Sequence, residues 1–297
     1  MFTRISIRAA ALVAAIALMA PGAALAKLQV VASITDLASI AASVGGDAVE
    51  VATIARPNTD VHHVEVLPSY MVRVSKAQLY LKVGLTLDQW ADPIIDGSRN
   101  AKLMVLDCAQ HIQPLEVPAG RVDARMGDVH PNGNPHYWLD PANGGIVAAD
   151  IAEALGRLDP AHAQDYLARA ATFAESCSAA RAAARTRFAA LSAPTILTYH
   201  ASWVYFAAAT GLEIAGTVEP VPGIPPTGSH LQELVDLVKQ RRIPVLLQEP
   251  YFSDEAGSFL ARSTGIRVAK VSPSCDDTKA GSYLSHFQAA VAAVTGA

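Results

Sequence analysis

The sequence lacks most of the short motifs that identify enzymes and nucleic-acid-binding proteins. It contains neither the H-E-x-x-H pair of zinc proteases nor the G-x-S-x-G turn of serine hydrolases. Only 17% of its 297 residues are charged, the formal net charge is −4, and no basic run occurs, so a nucleic-acid-binding surface is not indicated. Its three cysteines, Cys108, Cys177 and Cys275, form no CxxC pair, which argues against a cysteine metal cluster.

The chain also lacks an apolar run of the about 20 residues that a transmembrane helix requires. Its N-terminus instead has the pattern of a secretory signal peptide, with Arg4 and Arg8, an apolar stretch over 9–20, and small residues at positions 24 and 26. We therefore expect a periplasmic protein that is cleaved near Ala26 and has no lipid anchor, since no cysteine follows the cleavage site. Export permits one disulfide, but the spacing of the three cysteines leaves the pairing open.

What the sequence does contain is two series of alternating strand and helix patterns. Short β-branched runs predict strands at 28–34, 48–55, 79–84 and 103–107, and again at 194–200, 212–218, 243–250 and 266–271. Apolar residues at helical spacing predict helices between the strands, the first of them capped by Asp36. This alternation is typical of an α/β fold in which each half forms a mostly parallel sheet flanked by helices.

An alanine-rich stretch separates the two series and predicts one or two long helices with a break at Pro160. The predicted organisation is a signal peptide (1–26), an N-terminal α/β lobe (27–141), a long helical connector (142–192) and a C-terminal α/β lobe (193–297). Ligands of open α/β sheets bind beyond the carboxyl ends of strands, and clefts between domains are favoured sites. We therefore expect the functional site in the cleft between the two lobes.

Three of the nine histidines follow a predicted strand or end a long loop. His62 follows the second strand, His136 ends the proline-rich loop 112–135, and His200 ends the fifth strand. Neutral imidazole is the commonest metal-binding side chain, and three imidazoles with an oxygen ligand or a water molecule suit tetrahedral Zn²⁺. These residues indicate a candidate metal site. Their spacing alone leaves open the alternative that they are three unrelated histidines in turns.

Longer motifs around these histidines resemble one known family, the cluster A-I zinc and manganese substrate-binding proteins of bacterial ABC importers. The segments that resemble the three histidine motifs of the family are DVHHVEVLPS (60–69), NPHYWLDP (134–141) and YHASWVYFAAATGL (199–212). Two further segments, LKVGLTLDQW (81–90) and EPYFSDEAGSFLARSTG (249–265), resemble other parts of the family. The resemblance runs through nearly the whole chain after the signal peptide.

The resemblance implies that His62, His136 and His200 bind the metal and that the protein is of the zinc type. In this family the third position is histidine in zinc-type members and glutamate in manganese-type members. The distinction has a physical basis, because nitrogen donors favour Zn²⁺ whereas carboxylates suit the harder Mn²⁺. His63 occupies a variable position and is assigned to the rim of the site, and Glu65 is assigned to the scaffold.

The fourth ligand is where this sequence departs from the family. Members commonly have an aspartate or glutamate directly after the last strand, where this chain has Ser272. Asp276 and Asp277 follow a few residues later, and either carboxylate could reach the metal. We favour Asp276 as the fourth ligand; the alternatives are Asp277, a water molecule, or a solvated acidic turn without a ligand role.

The loop before the second motif also differs, since many zinc-type members carry a His- and Asp-rich insertion there. Here the loop has only His130, Asp123 and Asp128. A plain surface loop is the favoured interpretation, and a weak accessory site for metal capture is the alternative.

The motif that contains His136 has a predicted division of roles. Residues 137–139 are expected to pack and to hold the ligand in place rather than to contact a substrate. Asp140 is predicted to cap the connector helix, with Pro141 in its first turn.

The resemblance implies a monomeric binding protein, not an enzyme, that carries Zn²⁺ as its transported ligand. The implied partner is a cognate ABC permease in the inner membrane, and the sequence leaves open whether a periplasmic metallochaperone loads the metal. The main alternative is an exported zinc hydrolase, because catalytic zinc sites also combine three protein ligands with an open position. No carboxylate is paired with a histidine in the manner of a general base, which counts against it. An adhesin-like extracellular binding protein is a weaker alternative.

Overall fold

The structure is a computed structural model that describes residues 26–120, 122, 127–191 and 194–296. Apart from Ala26, the predicted signal peptide lies outside the described residues. All the predicted strands are present, each slightly shorter than expected. Their bounds are β1 (Leu28–Ala32), β2 (Val49–Thr53), β3 (Leu79–Lys82), β4 (Met104–Asp107), β5 (Thr195–Thr198), β6 (Glu213–Thr217), β7 (Val245–Gln248) and β8 (Arg267–Lys270).

Each half of the chain forms one four-stranded sheet in which all neighbouring strands are parallel. The strand order is β2-β1-β3-β4 in the first sheet and β6-β5-β7-β8 in the second. The chain therefore reverses its winding direction beside β1 and beside β5. Ligands of open α/β sheets bind at such reversal points, and this architecture confirms the predicted fold class.

Helices flank both sheets. Their bounds are α1 (Thr35–Gly45), α2 (Pro68–Val74), α3 (Ala91–Ser98), α4 (Pro141–Leu158), α5 (Ala163–Ala189), α6 (Val204–Thr210), α7 (Gly228–Arg241), α8 (Asp254–Thr264) and α9 (Ser282–Thr295). Across the described residues, no helix is long and apolar enough to cross a membrane.

The connector consists of two long helices, α4 and α5, which pack against each other. Asp140 caps α4 by accepting a hydrogen bond from the N–H of Ala142 at 2.9 Å, and Pro141 lies in the first turn, as predicted. A short 3₁₀ turn, Pro160–His162, separates the two helices at the predicted break.

The predicted cap of α1 is wrong. Ile34 is the N-cap residue, and Asp36 lies inside the first turn because the helix begins two residues earlier than expected. The Asp36 carboxylate instead accepts a hydrogen bond from the N–H of Cys275 at 3.3 Å. The residue thus joins the beginning of α1 to the segment after β8.

One continuous hydrophobic core joins the two sheets and the connector. It includes Leu81 of the first sheet, Leu247 of the second and Tyr166 of α5. The last helix, α9, packs against α1 and α5, and the Tyr283 hydroxyl donates a hydrogen bond to the carbonyl of Trp138 at 2.6 Å. Because the core is shared, it restricts movement of one sheet relative to the other. The lobe boundaries drawn from the sequence stay a prediction.

All three cysteines are free and buried, so the disulfide that export would permit is not formed. The reason is their placement in three separate parts of the fold. Cys108 follows β4, Cys177 lies within α5, and Cys275 follows β8.

Candidate metal centre

Three imidazoles from three separate segments meet between the two sheets. His62 lies in the segment between β2 and α2, His136 precedes the 3₁₀ turn Tyr137–Leu139, and His200 follows β5. Their available ligand nitrogens all lie within 4.8 Å of one another. The ring centroids are 5.1 to 5.6 Å apart. Since a zinc–nitrogen bond is about 2.0 to 2.1 Å long, a small inward movement of the rings lets one ion contact all three.

Each of the three rings is held through its Nδ1 atom by an oxygen acceptor. The acceptors are Asp60 for His62 at 2.8 Å, Asn134 for His136 at 3.0 Å, and Glu219 for His200 at 2.6 Å. An acceptor at Nδ1 keeps the imidazole proton there and leaves the lone pair on Nε2 for a metal. The same bonds fix the orientation of each ring.

These acceptors reach their histidines by two different routes. Asp60 and Asn134 lie two residues before their histidines, so the contact forms within one turn of chain. Glu219 is distant in sequence from His200 but close in the sheet. The register pairs Thr198 of β5 with Thr217 of β6, so the residues that follow each strand also lie side by side.

The Nε2 atoms of His62 and His136 are buried and have no hydrogen-bond partner in the described part of the chain. Buried polar atoms are nearly always hydrogen-bonded, and each exception calls for an explanation. Here the two orphaned nitrogens belong to rings whose other nitrogen is already engaged. An ion bound between the rings would satisfy both.

The pKa values of His136 and His200 are shifted in opposite directions. Burial and the neighbouring imidazoles lower the pKa of His136 well below its ordinary range. Burial also opposes protonation of His200, but the hydrogen bond to Glu219 and the charge of Glu249 outweigh it and raise the pKa. Burial disfavours the charged form of Asp60 too, yet hydrogen bonds from the imidazole and the backbone N–H of His62 lower the pKa of Asp60 to about 2.

The segment after the second histidine packs as predicted, and Tyr137, Trp138 and Leu139 are all buried. The Tyr137 hydroxyl donates a hydrogen bond to the carbonyl of Val83 at 2.8 Å. The Trp138 indole N–H donates to the carbonyl of Pro273 at 2.7 Å. One bond thus reaches the loop after β3 and the other the loop after β8, so the histidine is positioned against both halves of the chain.

A cavity of about 390 Å³ opens beside the histidines and gives an ion a route to them. His62 and His200 form part of its wall. His63 lies at the rim, where its side chain is 70% exposed and stands 3.8 Å from the carboxylate of Asp128. Glu65 is exposed and is not a member of the three-histidine group.

The acidic turn at 276–277 does not join the histidines in the structure. Neither Asp276 nor Asp277 belongs to the three-histidine group. The Asp277 carboxylate accepts hydrogen bonds from the Ser282 hydroxyl and the Lys279 N–H. These bonds lower the pKa of Asp277 to about 2. Asp276 accepts a hydrogen bond from the side-chain amide of Asn58 at 3.3 Å. Both carboxylates therefore have partners outside the centre.

A fourth imidazole, assigned to a plain surface loop from the sequence, lies next to the group. The ring centroid of His130 is 5.5 Å from that of His62. Its Nε2 atom is buried and has no hydrogen-bond partner among the residues described, and burial lowers the pKa of the ring to about 4. One feature of the sequence pointed to this residue, since His130 is the sole histidine of the loop 112–135. Asp123, from the same predicted accessory site, lies outside the described residues.

Comparison with known proteins places this centre in a family. A family model described as "Zinc-uptake complex component A periplasmic" (ZnuA) matches residues 30–297. The chain belongs to this family. Proteins of the ZnuA family are metal-binding, substrate-binding components of ABC importers and not enzymes. The alternative of an exported zinc hydrolase therefore does not hold.

Individual relatives are named for different metals. The iron-binding protein YfeA of Yersinia pestis is 27% identical over 277 residues, covering 91% of this chain and 85% of YfeA. The high-affinity zinc uptake system protein ZnuA of Brucella abortus (strain 2308) is 29% identical over 146 residues, covering 49% of this chain and 44% of that protein. A crystal structure of ZnuA has a TM-score of 0.80 and 26% identity, covering 91% of this chain and 99% of the other.

Proposed function

We propose that this protein captures Zn²⁺ in the periplasm and delivers it to an ABC importer of the inner membrane. The observation that carries the proposal is the convergence of His62, His136 and His200, each with Nδ1 bonded to an oxygen. Nitrogen donors favour Zn²⁺, whereas carboxylate-rich sites suit Mn²⁺. The zinc uptake names of the family and of the Brucella relative support the same metal.

The two carboxylates of the centre bind the imidazoles and are not themselves offered to the metal. Asp60 and Glu219 hydrogen-bond to imidazoles, so the atoms offered to the ion are nitrogens. Their charges offset the charge of a divalent cation, and partners of this kind raise the basicity of the ligating imidazoles. The arrangement therefore combines a nitrogen donor set with electrostatic compensation.

A competition titration tests the choice of metal. Chelator-stripped protein is titrated with Zn²⁺, Mn²⁺ and Fe²⁺, alone and in pairs, with a chromophoric chelator as reporter. We expect one tightly held Zn²⁺ that neither other ion displaces at equal concentration. Failure to retain one tight ion would remove the proposal of metal capture, and a preference for Mn²⁺ or Fe²⁺ would remove the zinc assignment while leaving metal capture in place.

Export and delivery are further parts of the proposal. The predicted signal peptide is cleaved near Ala26, which mass spectrometry of the periplasmic protein checks. The protein acts as a monomer, its partner is the cognate permease, and a periplasmic metallochaperone loads the metal. Loss of the gene should slow growth in zinc-depleted medium, and zinc, but not manganese, should restore it.

A further inference from the structure

We propose that His130 supplies a fourth imidazole to the metal, so that the loop before the second histidine motif completes an all-nitrogen centre. The inference rests on the proposed function, because it names an additional ligand of the same site. The ring of His130 lies beside that of His62, with centroids 5.5 Å apart and planes inclined by 30°. This distance falls within the range found among the three histidines of the group.

The hydrogen bonds of His130 leave the correct nitrogen free. Its Nδ1 atom lies 3.0 Å from the Thr86 hydroxyl oxygen. That hydroxyl donates its own proton to the carbonyl of Leu85 at 2.6 Å, so Nδ1 is the donor and Thr86 the acceptor. The lone pair of His130 is therefore on Nε2, which is buried and unpartnered within the described residues. His62 and His136 have the same arrangement.

Thr86 is itself held in an unusual conformation. Its φ is 66°, and the preceding Leu85 has a φ of 49°. A β-branched residue in the left-handed region is a backbone outlier, and such residues concentrate at ligand sites. The turn after β3 therefore presents the Thr86 hydroxyl to the loop at a local cost in backbone energy.

The loop that carries His130 is docked against the C-terminal half of the chain. The N–H of Asp128 donates a hydrogen bond to the carbonyl of Pro222 at 2.9 Å. The approach is close enough to require glycine: a Cβ atom on Gly127, whose φ is 61°, would lie 2.1 Å from that same carbonyl oxygen. The two ends of the loop are bonded to each other, from the N–H of Asn134 to the carbonyl of Leu115 at 2.8 Å. These contacts hold His130 at the mouth of the centre.

His130 is an outer ligand rather than an equal member of the group. Its nitrogens fall outside the set whose members all lie within 4.8 Å of one another, so binding requires its ring to move inward. The three inner histidines hold the ion first, and His130 then closes the fourth tetrahedral position. The same ligand is the first to leave, which gives the loop control over release.

The test is the substitution His130→Ala, with His63→Ala as the matched control. Both are neighbours of His62, but the side chain of His63 is exposed at the rim. Zn²⁺ affinity and dissociation rate are measured with a competing chelator, and the visible spectrum of the Co²⁺-loaded protein reports the donor set. We expect His130→Ala to keep one Zn²⁺ per chain, bind it roughly 10- to 100-fold more weakly, release it faster and change the Co²⁺ spectrum. His63→Ala should match the wild type.

Unchanged Zn²⁺ affinity and an unchanged Co²⁺ spectrum in His130→Ala would overturn the inference. So would a loss confined to Asp128→Ala, which would make a carboxylate of the same loop the outer ligand. Neither result bears on the proposed function, which fails if the wild-type protein holds no tight ion or prefers Mn²⁺ or Fe²⁺ to Zn²⁺.

A second pair of variants separates ligation from packing. Thr86→Val removes the acceptor that orients His130, whereas Thr86→Ser retains it. We expect faster zinc release in Thr86→Val and wild-type release in Thr86→Ser. Equal behaviour of the two variants would show that the Thr86 hydroxyl does not position the ring and would contradict this part of the inference.

Discussion

The loop before α4 and the end of β5 each supply one histidine to the centre, and the two side chains are almost equally buried. His136 is 2% exposed and His200 is 4% exposed. Their pKa values nevertheless shift in opposite directions, downward for His136 and upward for His200. The two rings differ first in the partner of Nδ1, which is the neutral amide of Asn134 for one ring and the carboxylate of Glu219 for the other. The charge of Glu249 also favours protonation of His200.

The comparison shows that burial alone does not decide the charge of a metal ligand. Burial and the neighbouring imidazoles favour the neutral form of His136, since no group that shifts its pKa stabilises a positive charge there. The imidazole of His200 holds a proton more strongly because Glu219 stabilises the charged form. Metal binding is therefore coupled to proton release more strongly at His200 than at His136.

The largest expected effect comes from removing either imidazole. We expect His136→Ala and His200→Ala each to weaken Zn²⁺ binding by more than about 100-fold, since loss of an outer-shell partner alone costs roughly 10- to 100-fold. A chelator competition assay measures the affinity. Wild-type affinity in one of the two variants would mean that its histidine lies beside the metal rather than on it.

The second-largest effect comes from removing the carboxylate charge beside His200 while keeping all three histidine ligands. Glu219→Gln keeps an oxygen acceptor for His200 but loses the carboxylate, so the pKa of His200 should fall and zinc affinity should drop by about tenfold. Glu213→Gln is the matched control, because Glu213 pairs with Arg241 at the surface. Equal affinities in the two variants would contradict the role given to Glu219.

The third effect is on proton release. Calorimetric titration with Zn²⁺ at neutral pH, in buffers of different ionisation enthalpy, counts the protons displaced. Because a raised pKa means that His200 is protonated over a wider range of pH, the wild type should release more protons than Glu219→Gln. Zinc affinity should also fall as the pH is lowered, and it should fall more steeply in the wild type. If the wild type and Glu219→Gln released the same number of protons, the pKa difference between His136 and His200 would be contradicted.

The smallest expected effect concerns the acidic turn. Asp276→Ala and Asp277→Ala should leave zinc affinity unchanged, because both carboxylates are bonded to residues outside the centre. The same chelator assay applies. A clear loss of affinity in either variant would show that the turn rearranges when the metal binds and would restore the acidic pair as a source of the fourth ligand.

Much of the fold could be predicted from local pattern. β-Branched runs give the strands, and the alternation of strands and helices gives two parallel sheets, because both depend on residues close together in the chain. Pro141 and Asp140 mark the beginning of α4 through contacts within a few residues. The predicted cap by Asp36 failed because its carboxylate is engaged by Cys275, a partner that no local pattern contains.

The candidate site divides in the same way. The sequence by itself determined the three histidine motifs and two of the three Nδ1 acceptors, because Asp60 and Asn134 lie two residues before their histidines. Only the tertiary structure decided the rest. The register of β5 and β6 brings Glu219 to His200, and the docked loop brings His130 to His62. Both contacts join residues far apart in the chain, so they exist only once sheet pairing and loop docking have closed the intervening segments.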